Sequence, residues 1–238
     1  MKDPFSSAIL SENARGLVAV IPDIKCFSPQ DGNLLDIHCA AEAAQKMVNR
    51  GAPLLSVVTE SEHFGGSPEL LRSITHTVDV PVLRKDFVTN VDMLKETVEL
   101  GAAAVLLICA VNEEKKLATL FQKAMDLGLE PLVEIHTLEE MQLAKKLGAR
   151  LIGINNRNIR VYEQDGSGPE RTVDLAFSAP KDSIIVSESG ILSPTDAQRV
   201  AAVGVNALIV GTALWQARDP EMLYQSLRVR RSTLCNRW

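Results

Sequence analysis

Apolar residues along this chain gather into eight short runs, most of them followed by a segment with helical spacing. The runs cover 17–24, 54–59, 82–85, 104–109, 131–135, 151–155, 184–187 and 207–210. Several are continuously apolar instead of alternating, the pattern of parallel strands covered on both faces. Between them, 138–147 places Leu138, Met141, Leu143, Ala144 and Leu147 near a helical period, and 92–100 and 115–127 behave similarly. Gly101, Gly128 and Gly148 follow those segments as C-cap candidates. Ser193-Pro194-Thr195-Asp196 supplies a cap and an early proline for another helix.

One phrase recurs. Leu100-Gly101-Ala102-Ala103, Leu147-Gly148-Ala149-Arg150, Val203-Gly204-Val205-Asn206 and Arg50-Gly51-Ala52 each close a helix and turn into the next strand. That recurrence, with no linker interrupting it, is a βα repeat. The pattern predicts α/β class: a single-domain (β/α)8 barrel over 16–238, behind a short N-terminal extension, 1–15, that forms an extra helix. A doubly wound sheet is the alternative, but it usually opens with a glycine-rich turn after its first strand, and none is present. A long polar loop, 160–171, breaks the rhythm after the sixth run, and loops of that length are often functional.

Composition narrows the function classes. The 238 residues are 46% apolar and 23% charged, enough for one substantial core. A net charge of −5 with no basic domain argues against nucleic acid as a partner. The locally basic tail Arg228-Val229-Arg230-Arg231 reads as the solvated face of a terminal helix. Cys26, Cys39, Cys109 and Cys235 show no CxxC spacing, which predicts reduced thiols in a cytoplasmic protein. Residues 1–12 lack a basic segment followed by an apolar core, so no signal peptide is expected. No apolar run approaches the roughly 20 residues of a membrane helix, so no membrane partner is expected.

The chemistry gathers at the far ends of the runs. Lysine is rarely buried without a partner, yet Pro81-Val82-Leu83-Arg84-Lys85-Asp86-Phe87 drives a core strand straight into Lys85. Other runs end in Lys25, Glu134, Asn155 and Glu188, and a ring of ionisable strand ends is how a parallel barrel builds an active site. Asp23 and Lys25 share one face of the first run. They read either as an ion pair plugging the barrel end or as functional groups, and the polar loop carrying Ser28-Pro29 and Gly32 favours the second. Glu134 faces inward if Leu132 does, and needs a cation, for which Lys25 and Lys85 are the candidates. His136 reads as structural or exposed rather than as a base. His38, His63 and His76 show no ligand spacing, and no metal is expected. Asn155-Asn156-Arg157 suits planar recognition of a carboxylate or carbonyl. The small residues after the seventh and eighth runs let backbone amides approach an anion.

Together these residues resemble the indole-3-glycerol phosphate synthase family of tryptophan biosynthesis. The resemblance runs from about Val20 to Trp215. It is carried by Asp23-Ile24-Lys25 with Ser28-Pro29, Ser56-Val57-Val58-Thr59-Glu60 with Phe64-Gly65-Gly66, and Leu83-Arg84-Lys85-Asp86-Phe87. Leu132-Val133-Glu134-Ile135-His136, Gly153-Ile154-Asn155-Asn156-Arg157 and Ser187-Glu188-Ser189-Gly190-Ile191 complete it, in family order and one per strand. It implies a carboxy-lyase that closes 1-(2-carboxyphenylamino)-1-deoxyribulose 5-phosphate to indole-3-glycerol phosphate, releasing carbon dioxide and water without a cofactor. By that resemblance Lys85 is the general acid, and Lys25 pairs with the substrate carboxylate and assists dehydration. Glu134 is the base or electrostatic partner of the cationic intermediate, and Asn155, Glu188 and Ser189 orient the substrate. Ser28, Pro29 and Arg157 line the anthranilate end, with Phe64, Phe87, Leu106 and Ile108 as its apolar wall. Gly190, Gly211 and Thr212 hold the phosphate. Association with other tryptophan-pathway enzymes is a further expectation.

The chain departs from the family pattern at three places. Asp23 stands where the family normally has glutamate, a carboxylate shorter by one methylene. Only 24 residues precede Lys25, fewer than the family's usual extension, which covers the pocket. Asn158 replaces a usual aspartate, ahead of an atypical loop, and Asp31 puts an acid beside a site for an anion. Two rivals share the scaffold. Phosphoribosylanthranilate isomerase-like chemistry wants a carboxylate with a thiol or second acid rather than paired lysines. A paralogue binding a related phosphorylated ligand without turnover is the other.

Overall fold

Alternation of side chains along each strand sorts the apolar residues into two cores, one inside a closed barrel and one between barrel and helices. The computed structural model describes residues 5–157 and 168–232. Its strands are β1 (Ala19–Ile24), β2 (Phe27–Ser28), β3 (Gly32–Asn33), β4 (Leu55–Val58), β5 (Val82–Lys85), β6 (Ala104–Ile108), β7 (Glu130–Ile135), β8 (Leu151–Asn155), β9 (Ile184–Glu188) and β10 (Ala207–Val210). β2 and β3 form a small antiparallel hairpin, and the other eight close as β1-β4-β5-β6-β7-β8-β9-β10 with every pairing parallel. These are the eight runs read from the sequence, so the (β/α)8 barrel expectation holds and the doubly wound sheet does not.

The helices are α1 (Phe5–Ala14), α2 (Ala40–Asn49), α3 (Pro68–Thr77), α4 (Val91–Glu99), α5 (Glu114–Asp126), α6 (Leu138–Leu147), α7 (Glu170–Leu175), α8 (Pro194–Ala202), α9 (Thr212–Gln216) and α10 (Pro220–Leu227). Side-chain oxygens start five of them: Ser67, Asn90, Thr137, Ser193 and Asp219 each accept a backbone amide three residues on. Each satisfies a donor that the first helical turn leaves without a partner. At the other ends the recurring glycine works as expected. Gly101, Gly148 and Gly204 sit at φ of +79°, +71° and +80°, which a side chain would strain.

Inside the barrel, Ala19, Ile21, Leu54, Leu83, Leu132 and Val186 belong to one buried cluster, capped by Phe5 and Ile9 of α1. The extension therefore closes the end of the barrel where the strands begin, opposite the pocket. The reason is apolar: Phe5 and Ile9 are fully buried against interior residues of the strands. Polar contacts hold it there. Glu130, at the start of β7, accepts the Ser6 amide, and Asn13 donates to the carbonyls of Leu17 and Asn206.

The basic tail is likewise not a solvated helix face. α10 ends at Leu227; Arg228 pairs with buried Glu12 at 3.0 Å, and Arg231 donates to the carbonyls of Val205 and Gly204. Both side chains close backbone and carboxylate groups at the same end of the barrel.

β5 shows how adjacent residues serve opposite faces. Arg84, 2% exposed, points outward to α4, donating to Glu96 at 2.7 Å, to Thr97 and to the Met93 carbonyl. It also donates to Thr59 and Asp86, and Thr59 donates to Asp86 at 2.6 Å. The next residue, Lys85, must then point inward. A buried guanidinium with this many acceptors braces the strand end that delivers the lysine.

Phe5→Ala removes the largest side chain sealing the lower end of the interior. It should lower the unfolding free energy by about 3–5 kcal/mol in urea titrations, with the denaturant slope unchanged.

Candidate active site

The C-terminal ends of the strands carry the polar counterpart of this apolar plug. Asp23, Lys25, Glu134, Asn155 and Glu188 are each no more than 5% exposed although all are polar. Leu132 lies in the interior cluster, so alternation does turn Glu134 inward. Register places Asn155 beside Glu188 and Glu134 beside Ile108.

Two pockets at this end meet at Lys85. One, about 420 Å³, is lined by Asp23, Lys25, Lys85, Arg157, Ser189 and Gly190, with Gly211 and Thr212 across from them. The other, about 260 Å³, is lined by Phe64, Lys85, Phe87, Leu106, Ile108 and Val58. The first is polar and built of small residues and cations; the second is mainly apolar. Lys85 lines both. Phe64 and Phe87 meet at 6.5 Å between ring centroids, tilted by 58°, and the Lys25 ammonium lies 5.1 Å from the Phe64 centroid. Lys25 therefore bridges the polar pocket to the aromatic wall.

The charges pair differently from the sequence expectation. Lys85 Nζ stands 3.9 Å from Glu188 Oε2. Beside Glu134 stands His136, whose Nε2 lies 3.4 Å from Oε1. Of the two readings of His136, structural or exposed, the exposed one does not hold: its ring is 8% exposed and set between two carboxylates. Glu188 reaches its position only because Gly153 has no side chain. A Cβ there would fall 1.9 Å from Glu188 Oε1.

After β9 the chain turns through two consecutive left-handed residues, Ser189 at φ +61° and Gly190 at φ +71°. Left-handed serine is strained and persists only where neighbours hold it. Asn156 does so, donating to Ser187 Oγ and to the carbonyls of Glu188 and Ser189, while its own oxygen accepts the Thr172 amide. The Asn156 side chain is thus spent on bracing this turn rather than on planar recognition of a ligand. Ser56 went unassigned in the sequence reading. It pairs with Asp23 across β1 and β4, is wholly buried, and its hydroxyl has no hydrogen-bond partner among the described residues. Its signal was the alternation Leu54, Ser56, Val58 within an otherwise apolar run.

Two further expectations shift. Ser28 and Pro29 line neither pocket, because the Ser28 hydroxyl is taken by Asp31 at 2.9 Å inside the loop after β1. Arg157 lines the polar pocket rather than the apolar one. Asn158 and most of the loop at 160–171 lie outside the described residues, although Arg171 donates to the Asn155 carbonyl at 2.6 Å. Glu60, Glu62 and His63 offer ligand atoms within 4.8 Å of one another. The Glu60 carboxylate there accepts the amides of Glu62, His63 and Phe64, which makes it the organiser of a turn.

A closed parallel barrel with buried lysines and carboxylates at the C-terminal strand ends defines a (β/α)8-barrel enzyme. Residues 2–227 match the family described as indole-3-glycerol phosphate synthase. The chain is 40% identical over 214 residues to indole-3-glycerol phosphate synthase of Carboxydothermus hydrogenoformans, covering 90% of this chain and 80% of that protein. It is 41% identical over 203 residues to the enzyme so named from Kineococcus radiotolerans, covering 85% and 73%. With the Lactococcus lactis relative the figures are 39% over 217 residues, 90% and 80%. This chain belongs to the indole-3-glycerol phosphate synthase family.

Two outcomes follow from the geometry alone. Gly153→Ala should turn the Glu188 carboxylate away, lengthening the 3.9 Å Lys85–Glu188 contact in a crystal structure of the variant. The same change should cost about 1–3 kcal/mol in stability. Burial, then the charges of Glu140 and Glu134, push the Cys109 thiol up to about 12. A raised value keeps the thiol protonated and unreactive at pH 8. Alkylation of the native protein at pH 8, mapped by mass spectrometry, should therefore modify exposed Cys39 and spare Cys109.

Proposed function

We propose that this protein closes 1-(2-carboxyphenylamino)-1-deoxyribulose 5-phosphate to indole-3-glycerol phosphate, with release of carbon dioxide and water, in tryptophan biosynthesis. The observation that carries the reading is the position of Lys85 on the wall common to a polar pocket and an apolar one. The substrate has the same division, a phosphorylated sugar chain joined to an aromatic ring, and its reacting carbonyl lies between the two.

In this reading the aromatic ring packs against Phe64, Phe87, Leu106 and Ile108, and Gly190, Gly211 and Thr212 hold the phosphate with backbone amides. Lys85 protonates the ribulose carbonyl as the ring carbon attacks it. Lys25 pairs with the carboxylate that leaves as carbon dioxide, then assists departure of the hydroxyl as water. Glu134 stabilises the cationic intermediate or takes its proton. Glu188 holds Lys85, and Asn155 and Ser189 orient the sugar hydroxyls. Proton donors and charges placed before the reaction begins stabilise the transition state without reorganisation. Asp23 lines the polar pocket, and a glutamate there would carry the carboxylate one methylene further from the strand.

Isomerase-like chemistry draws no support from the thiols. Cys26 and Cys109 belong to the core between barrel and helices, not to the barrel interior. Unpaired thiols at Cys26, Cys39 and Cys109 fit a reducing cytoplasm, to which we assign the protein. Among the described residues no helix is long and apolar enough to cross a membrane.

Purified protein incubated with the carboxyphenylamino-deoxyribulose phosphate should generate indole fluorescence, and absence of turnover would overturn the proposal. Lys85→Ala should reduce kcat by about 10²- to 10⁴-fold, the contribution of a positioned acid. Asp23→Glu should raise kcat/KM, by as much as about 100-fold if one methylene corrects a misplacement near 1 Å. A fall instead would mean that the pocket is adjusted around aspartate.

A further inference from the structure

Carboxylates stand on both sides of the His136 ring. Nε2 lies 3.4 Å from Oε1 of Glu134, and Nδ1 lies 3.3 Å from Oε2 of Glu140. Glu134 is wholly buried, the ring is 8% exposed and Glu140 is 18% exposed. The three side chains therefore run in line from the barrel interior toward its rim.

The outer member is anchored. Glu140 is the third residue of α6; its amide donates to the Thr137 hydroxyl at 3.2 Å, and its Oε2 accepts the His136 amide at 2.5 Å. This is a capping box whose carboxylate reaches one residue further back than usual. The helix start thus fixes the carboxylate that grips Nδ1. The inner member is not anchored in the same way. Neither oxygen of Glu134 accepts a hydrogen bond among the described residues, and Nε2 at 3.4 Å is close without being aligned as one. Contacts of this kind commonly tighten when substrate enters. Each ring nitrogen faces one carboxylate, to which its N–H can donate.

We propose that His136 is a positioning residue for Glu134: Glu140 fixes the ring through Nδ1, and Nε2 holds the Glu134 carboxylate toward the substrate. The inference rests on the role of Glu134 proposed above. One ring nitrogen bound to a carboxylate sets the orientation in which the other acts. Transferring no atom, His136 acts on rate through the aim of Glu134 rather than through contact with substrate.

Two measurements test this. In the indole assay, His136→Ala should lower kcat on the order of 10- to 100-fold while KM changes less than about threefold, since the lost interaction acts on the transition state. His136→Gln, which keeps a donor, should recover most of that loss. A raised KM with kcat intact, or no recovery by glutamine over alanine, would overturn the proposal. The second measurement needs no turnover. In ¹⁵N NMR of the ligand-free protein, Glu134→Gln and Glu140→Gln should each move the His136 ring resonances, and unmoved resonances in either variant would overturn the bridge. A wild-type protein without turnover would remove the proposed reaction but leave this spectroscopic test in force, and the glutamine variants stand in should alanine fail to fold.

Discussion

Lys25, Lys85, Glu134 and Glu188 are all largely withdrawn from water at one end of a closed barrel. Removing a charge from water costs several kcal/mol unless an opposite charge or hydrogen bonds compensate. The surrounding structure supplies that compensation piece by piece. Gly153 leaves the space that lets Glu188 approach Lys85, and Phe64 offers its ring face to Lys25. The His136 ring faces the Glu134 carboxylate. Outside the barrel, the Arg84–Asp86–Thr59 brace fixes the strand end from which Lys85 projects.

The two ends of the barrel divide stability from chemistry. Where the strands begin, most polar groups are closed by partners, the Tyr224 hydroxyl apart: Glu130 takes the Ser6 amide, Asn13 and Asn206 bond each other, and Arg228 neutralises Glu12. Phe5 and Ile9 seal what is left with apolar surface. At the opposite end, Asp23 Oδ1, Ser56 Oγ, Asn155 Nδ2 and both Glu134 oxygens lack hydrogen-bond partners among the described residues. Buried polar atoms left without partners destabilise the fold, and their concentration at one end fits groups kept open for a ligand. Ser189 adds backbone strain at the same end, held by Asn156.

That division also accounts for the N-terminal helix. The segment ahead of the first strand is legible as an extra helix, but nothing in its own residues says which end of the barrel it will seal. Phe5 and Ile9 have complementary apolar surface only beneath the strands, where Ile21, Leu54 and Leu83 end the interior. The basic tail was misread for a related reason. Arginines beyond a helix look solvated until the carbonyls of Gly204 and Val205 and the carboxylate of Glu12 are placed beside them.

Strand positions, the glycine-closed helices, the barrel, the ionisable strand ends at Lys85 and Glu188, and the inward direction of Glu134 given that of Leu132 were legible in the chain by itself. Each rests on a local rule: a period of two along a strand, a period near 3.6 along a helix, and a glycine where φ turns positive. Which groups meet across the barrel was decided only by closure. Lys85 faces Glu188 from a strand more than 100 residues away, Arg157 turns to the polar pocket, and Ser28 is spent within its own loop. Such pairings depend on the shear and tilt at which the strands close and on the space one glycine leaves, and no local period encodes them.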